Sequence, residues 1–296
     1  MKKITAIIAA AAALMIALSG CGSSTGTQNS GSAGTQAPIH TEKETQRIGC
    51  LTCIGLDEDG VKKWSQNVAA DGDEGEPYSD SDTLVFFDTL DSMVMALGSG
   101  NIDRISLGYA PAKYIVDRND SFRLSDKGYI TILGYSIAVL DADDRGLIEK
   151  VNKAIDEMKA DGTRDLLEKK YITDLGSSDP EAVELPHNAE WETVRIAVTG
   201  DMPPMDLMLP DGTPAGFNTA FLAELSKRIG YNFELVSVNS ASRASALTSG
   251  RVDALFWMRG AYDSDGNALP FPLDSIEGVK VSKPYLLDKR VSVTRK

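Results

Sequence analysis

The sequence predicts an α/β protein of two lobes, each a mostly parallel sheet flanked by helices, and three observations carry that prediction. The phrase Ala96-Leu97-Gly98-Ser99-Gly100-Asn101-Ile102-Asp103 returns as Ala246-Leu247-Thr248-Ser249-Gly250-Arg251-Val252-Asp253. In both copies a helical pattern stops at Ser-Gly, and an apolar strand pattern follows the Asp. Strand-like and helix-like runs also alternate through both halves of the chain, as parallel βαβ units require. Between the halves, residues 173 to 191 shift to Asp, Ser, Pro, Glu and Asn, the composition of a linker or surface strap.

The first residues stand apart from this pattern. Lys2 and Lys3 precede an apolar run, Ile4 to Leu18, that is short for a bilayer span and ends in small residues, as an export signal does. Leu18-Ser19-Gly20-Cys21 resembles a bacterial lipoprotein signal box, which implies lipidation of Cys21 after residues 1–20 are removed. Residues 21–45 are rich in Ser, Gly, Thr and Gln, cannot bury enough apolar surface to offset ordering, and are expected to form a flexible tether. The expected location is the extracytoplasmic face of the cell membrane, held there by N-terminal lipid alone.

In the first half, Arg47–Leu56 reads as a strand, Gly60–Ala69 as a short helix and Thr83–Phe87 as a second strand. Leu90–Leu97 has helical spacing, Arg104–Leu107 is strand-like, and Pro111 opens a helix to Asp117, where a missing N–H costs nothing. Tyr129–Leu140 predicts one or two strands. Leu147, Ile148, Val151, Ala154, Ile155 and Met158 recur on one helical face, and a second helix is expected over Arg164–Tyr171. The second half repeats the alternation: strand Val194–Val198, helix Asn218–Ile229 stopped by Gly230, strand Asn232–Val238, helix Ala241–Leu247 and strand Val252–Met258. Gly260 to Glu277, rich in Gly, Asp and Pro, predicts an irregular loop, with Val291–Thr294 as a last strand.

A net charge of −13 argues against nucleic acid and anionic lipid as partners, since phosphate contacts need clustered Lys and Arg. Asp57-Glu58-Asp59 and the run Asp71 to Glu76 read as solvated loops without the ligand spacing of a calcium loop. Cys50 and Cys53 lie in an apolar run with no second pair to complete a zinc site, so buried thiols or a local disulfide are expected. His40 and His187 fall in polar linkers. No metal and no cofactor are expected.

These residues resemble the family-3 extracellular solute-binding proteins, the receptors of polar amino-acid ABC importers, which have the periplasmic-binding-protein type II fold. Val194 to Val198, Pro203-Pro204, Asp211-Gly212, Gly216-Phe217, the helix to Gly230 and Phe233 to Val236 are similar to the family's opening, and Lys283-Pro284-Tyr285 to its S-x-PY segment near the crossover. Gly134 to Val139, Asn152-Lys153-Ala154 and Asp161-Gly162-Thr163 are similar to the family's ending. The order is rotated relative to the family: a smaller lobe over 46–139 precedes a larger lobe over 140–296 that includes the strap 173–193. The resemblance therefore implies a circular permutant, with a domain-swapped pair of half-receptors as the alternative; a monomer is expected.

The resemblance also implies a ligand site between the lobes. Met205 stands where the family has an aromatic. Arg259 is offered for the ligand carboxylate, although it is not at the family's position and reads equally as a surface or hinge residue. Trp257 and Phe256 alternate, so one should face the core and the other the cleft or surface. Tyr109 replaces the family's Asp for the ligand ammonium, and Thr52-Cys53-Ile54-Gly55 replaces its Gly-Thr-Thr-like turn. Asp201 and Asp88 read either as cleft charges or as loop and cap groups. Met205, Trp257, Arg259, Tyr109 and Asp201 form the expected site. The implied function is capture of a small polar solute, an amino acid or a related compound, for the permease of an ABC importer. A sensor module without a transport ligand and a small dehydratase on the same fold are the alternatives, the latter lacking a visible acid–base set.

Overall fold

The computed structural model describes residues 45–71, 75–125 and 131–296. The signal segment, Cys21, nearly all of the tether, residues 72–74 of the acidic loop and Tyr129 lie outside them. The first wing is built from β1 (Arg47–Leu51), α1 (Glu58–Ala70), β2 (Thr83–Phe87), α2 (Leu90–Ser99), β3 (Arg104–Gly108), α3 (Tyr109–Val116) and β4 (Phe122–Ser125). The chain then enters a second wing through β5 (Ile132–Leu140), α4 (Leu147–Ala160) and α5 (Thr163–Glu168), which runs into a single π turn over Lys169–Thr173. After the strap come β6 (Thr193–Val198), a small sheet of β7 (Asp201–Met202), β8 (Asp206–Met208) and β9 (Pro214–Ala215), then α6 (Phe217–Ile229) and β10 (Asn232–Ser237). A 3-10 turn leads into α7 (Arg243–Thr248), followed by β11 (Ala254–Tyr262), β12 (Ala268–Pro272), β13 (Val279–Val281) and β14 (Leu286–Arg295).

The expected two-winged α/β architecture is the one observed. Strands β2-β1-β3 run parallel in one wing and β10-β6-β11 in the other. Between these blocks lie β5 and β14, antiparallel to each other and to their neighbours, so one mixed sheet runs through both wings. β14 belongs to both: Leu286–Lys289 pair with β5, and Arg290–Thr294 pair with β3. The expected final strand, Val291–Thr294, is only the second half of this element. Its first half hides from pattern reading because Asp288 and Arg290 are charged and yet buried.

The repeated phrase folds the same way twice. α2 stops at Gly100, and Gly250 follows α7; both glycines take positive φ, where a β-carbon would be strained. The Asp that closes each copy then clasps a parallel strand of its own wing, β1 in the first and β6 in the second. Asp103 accepts from the backbone N–H of Arg47 (2.8 Å) and from its Nε and Nη2 (3.2 and 2.8 Å). Asp253 accepts from the same three groups of Arg195 at 2.9, 3.0 and 2.9 Å. Each arginine also donates to the glycine carbonyl of its phrase, Gly100 or Gly250. The bidentate geometry gives each clasp direction as well as charge.

Helices cover the sheet with the faces their spacing predicts: Leu147, Ile148, Val151, Ala154, Ile155 and Met158 are all buried on α4. In the second wing, Phe217, Phe221, Phe256 and Tyr285 form an aromatic cluster, with the Phe221–Tyr285 and Phe256–Tyr285 ring centres 5.0 and 4.8 Å apart. The predicted irregular loop after Met258 is more ordered than expected. β11 continues to Tyr262, and β12 returns antiparallel along it. Pro270 and Pro272 mimic a loop in the sequence but are tolerated here because β12 is an edge strand. The two clasps differ in shelter, since the Asp253 side chain is 23% exposed and that of Asp103 35%. Thermal unfolding of Asp253→Ala and Asp103→Ala should show both melting below the parent, with Asp253→Ala the lower, because screening weakens the wetter pair more.

Candidate functional site

The parallel strands of the two wings end facing one another, the usual place for a ligand in open α/β sheets. From the first wing, the end of β1 supplies Leu51, followed by Thr52, Cys53, Ile54 and Gly55. From the second, the end of β6 supplies Thr199, and β11 supplies Trp257 and Arg259. Two narrow cavities lie at this junction. One, about 20 Å³, is lined by Cys50, Cys53, Ser106, Tyr135, Trp257 and Arg259 among others. The other, about 10 Å³, is lined by Leu51, Thr52, Thr199, Met202, Ser240, Arg243, Trp257 and Arg259. Each has room for about one water, so the wings are closed on each other. A roomier pocket of about 270 Å³ sits beside them, lined by Ser136, Arg259, Tyr262, Leu269, Pro270 and Asp274 among others.

A β-bulge aims the central side chains. Leu255 opposes Ala138 on β5 and Met258 opposes Ser136, so β11 carries one extra residue between these pairs. Trp257 absorbs it with φ of 69°, a conformation disfavoured for a bulky side chain. The bulge sends Phe256 into the aromatic core and Trp257 toward the cleft, where its ring meets that of Tyr135 edge-on at 4.7 Å. The buried Trp257 Nε1 has no hydrogen-bond partner. Arg243 Nη1 donates to the Trp257 carbonyl at 2.7 Å, which fixes the bulge from behind.

Arg259 and Asp274 form the electrostatic centre. Nε and Nη2 of Arg259 donate to the two carboxylate oxygens at 2.6 and 2.8 Å, and its backbone N–H donates to Asp274 Oδ2 at 3.0 Å. Arg243 Nη2 stands 3.7 Å from Asp274 Oδ1. Burial works against both charges, but the neighbouring guanidiniums of Arg259 and Arg243 overcome it and hold the Asp274 carboxyl below its usual range. Burial likewise opposes the Arg259 charge, and Asp274 overcomes it, leaving the guanidinium more firmly protonated than usual. Burial is the largest influence on Arg243 and moves its pKa down. Neither narrow cavity is lined by Asp, Glu or His, so the cleft walls suit an anion or a polar neutral group.

The structure brings together two of the five expected residues. Trp257 and Arg259 line both narrow cavities. Met205 packs fully buried in the core and lines neither; Met202, three residues earlier, lines the smaller one. Tyr109 opens α3 with its side chain partly exposed and is absent from both linings. Asp201 lies on β7 beside the cavities without lining them, its carboxyl raised by burial and, to a lesser degree, by Asp91 of the other wing. Asp88 accepts from Thr52 Oγ1 at 2.8 Å, a loop-fixing contact. Cys50 and Cys53 are free thiols; burial pushes the Cys53 thiol up, away from thiolate chemistry. Among the described residues no cluster of His, Cys, Asp and Glu could hold a metal ion. Arg243 and Asp274 escape sequence reasoning. The first starts an ordinary-looking short helix, and the second lies within a stretch whose composition signals only a loop.

Two wings with their strand ends at a common cleft, joined by two antiparallel strands, make a periplasmic-binding-protein type II-like fold. Within it, residues 194–259 match the family described as bacterial extracellular solute-binding proteins, family 3, so the resemblance read from the sequence holds over this segment of the second wing. The matched stretch runs from β6 to Arg259 and includes Asp201, Met205 and Trp257. A comparison with curated proteins finds no match. Among solved structures, the chain is similar to a zinc-bound ligand-binding component of an ABC-type import system from Staphylococcus aureus, with 14% identity, 86% of this chain and 66% of that one covered, and a TM-score of 0.43. It is also similar to an alkanesulfonate-binding protein from Xanthomonas axonopodis pv. citri bound to MOPS, with 14% identity, coverage of 86% and 66%, and a TM-score of 0.39. An extracellular-binding protein assigned to an amino-acid ABC transporter of Bacillus subtilis gives 15% identity, coverage of 86% and 85%, and a TM-score of 0.39. The chain thus spans just under two thirds of the length of the first two.

Two buried carboxyls, neither of them lining a described cavity, give stability a pH signature. Burial lifts Asp206 to about 6, although Thr199 and Gly200 donate to it, and lifts Asp288 on β14 to about 7, although Ala110 N–H donates to it at 3.1 Å. A carboxyl raised in the folded state keeps a proton that the unfolded chain has released near pH 4, so stability falls as pH rises from about 4 to about 7. Asp288→Asn keeps an acceptor for Ala110 and removes this loss. Urea unfolding should find the variant level with the parent near pH 4 and more stable by on the order of 2 kcal/mol at pH 8.

Proposed function

We propose that this chain is a lipid-anchored extracytoplasmic solute-binding protein. In this reading it captures a small polar solute, an amino acid or a related compound, between its wings and presents it to the permease of an ABC importer. The single observation that carries the reading is the convergence of Trp257 and Arg259, at the end of the family-matched segment, with Thr52 of the other wing on one closed cleft. Closure around a solute needs contacts from both wings, because only a preference for the closed state shifts the population toward it. The Trp257 indole N–H is a donor awaiting an acceptor, and Arg243 and Arg259 supply positive charge. Anchoring belongs to the Leu18 to Cys21 box. No described helix is long and apolar enough to cross a membrane. The order of the wings, with β1 to β4 ahead of the family-matched segment, supports a circularly permuted arrangement in which β5 and β14 are the two crossovers.

A second reading, a sensor module without a transport ligand, is favoured by one feature: Arg259 is already engaged by Asp274 and the narrow cavities hold about one water each. A melting-temperature screen of the chain against amino acids, short oligopeptides and organic acids separates the two. The receptor reading expects one chemical class to raise the melting temperature, with Trp257→Phe, which keeps the ring but loses the N–H, binding the same solute roughly tenfold more weakly. A flat response to every solute would leave the sensor reading standing.

A further inference from the structure

The carboxylate of Asp274 is held as a bound solute would be. Its side chain is fully buried, and its oxygens accept from groups of both wings. Arg259 Nε, Nη2 and backbone N–H donate from β11, while Ile54 N–H donates from the first wing at 2.8 Å. Arg243 stands as a second cation at 3.7 Å. Arg259 extends the same bridge by donating to the Thr52 carbonyl at 3.0 Å. The backbone around Asp274 is strapped across the cleft as well. Ser275 N–H donates to the Ile54 carbonyl at 2.9 Å, and Trp64 Nε1 of α1 donates to the Phe271 carbonyl at 2.8 Å. Gly55 permits this approach: it has φ of 85°, and a β-carbon there would stand 2.9 Å from the Ser275 carbonyl oxygen. Arg259 lines both narrow cavities and the larger pocket behind them, so the ion pair forms the wall between these spaces.

We propose that Asp274 is a built-in occupant of a carboxylate subsite formed jointly by Arg259, Arg243 and the Ile54 N–H. The wings rest closed on the chain's own carboxylate, and a solute bearing a carboxylate enters this subsite only by exchange with Asp274. The inference rests on reading the interwing cleft as the solute site, but its test needs no knowledge of the natural solute. Asp274 is the only group that bonds to donors of both wings through a charged side chain at this junction among the described residues, and two arginines face it. Removing the carboxylate while keeping the arginines therefore leaves a cationic vacancy of known shape.

The probe is sodium formate, whose carboxylate replaces the atoms removed in Asp274→Ala, with sodium chloride at equal ionic strength as the control. The full chain carrying Asp274→Ala should melt below the parent. Formate should raise its melting temperature by about 3 °C or more beyond chloride, while leaving the parent and an Asp274→Ala/Arg259→Gln double variant unmoved. A folded Asp274→Ala chain that formate does not rescue would overturn the proposal. Should that variant fail to fold, small-angle scattering of the isosteric Asp274→Asn chain decides: a larger radius of gyration than the parent supports the occupant role, and an unchanged one overturns it. A flat solute screen on the parent together with formate rescue would remove the transport reading and keep this one; a positive screen without rescue would do the reverse.

Discussion

Everything in this molecule hangs on the antiparallel pairing of β5 with β14. Over four residue pairs, from Leu286 opposite Tyr135 to Lys289 opposite Ile132, two strands running in opposite directions are the shared seam of the two wings. On either side of the seam the same strands serve different blocks of the one sheet: β5 pairs with β11 and β13 in one wing, and β14 with β3 and β4 in the other. A seam of two strands can twist while the blocks it joins stay rigid, because close-packed cores resist deformation far more than a pair of strands resists rotation. Any rotation of one wing against the other would therefore pass through a hydrogen-bonded ribbon, in which Asp288 and Tyr135 are buried.

The cleft inverts the electrostatics of the surface. The chain carries a net charge of −13, yet Arg243, Arg259 and Arg290 are buried at or near the junction of the wings. Arg290 donates to Ser106 Oγ at 2.8 Å and to the Tyr78 hydroxyl, and it lines the larger of the two narrow cavities. Asp274 balances part of this buried positive charge, since Arg259 pairs with it and Arg243 faces it.

Much of the scaffold was legible in the sequence, because the repeated phrase encodes local events. A helix, its glycine stop and the strand after it are set by neighbouring residues. The partner of the repeated Asp was not legible: Arg47 and Arg195 lie more than fifty residues upstream, and nothing in the phrase names them. Long-range pairing also concealed β14, whose buried charges broke its apolar alternation, and β12, whose prolines suggested a loop. In the site, period-two reading correctly divided Phe256 from Trp257, though the bulge that completes the division has no sequence signature. The Met205 assignment was displaced by one turn of the small β7–β8 sheet, which puts Met202 on the cleft wall and Met205 in the core. Charge complementarity inside a folded loop, as between Asp274 and Arg259, is invisible until the backbone brings the two together.

The double membership of β14 has a kinetic consequence. In the first wing, Arg104 on β3 reaches Ser292 on β14 across 188 residues, with the whole second wing between them. β1, β2 and β3 can collapse early, but the strand that completes their sheet arrives only after the second wing has been made. Closing so long an interval costs chain entropy before any contact repays it, which favours slow folding and a long-lived partly assembled species. The delay lengthens the interval in which the first wing's β3 edge stays open, and an open strand edge is the surface most prone to pair with another chain.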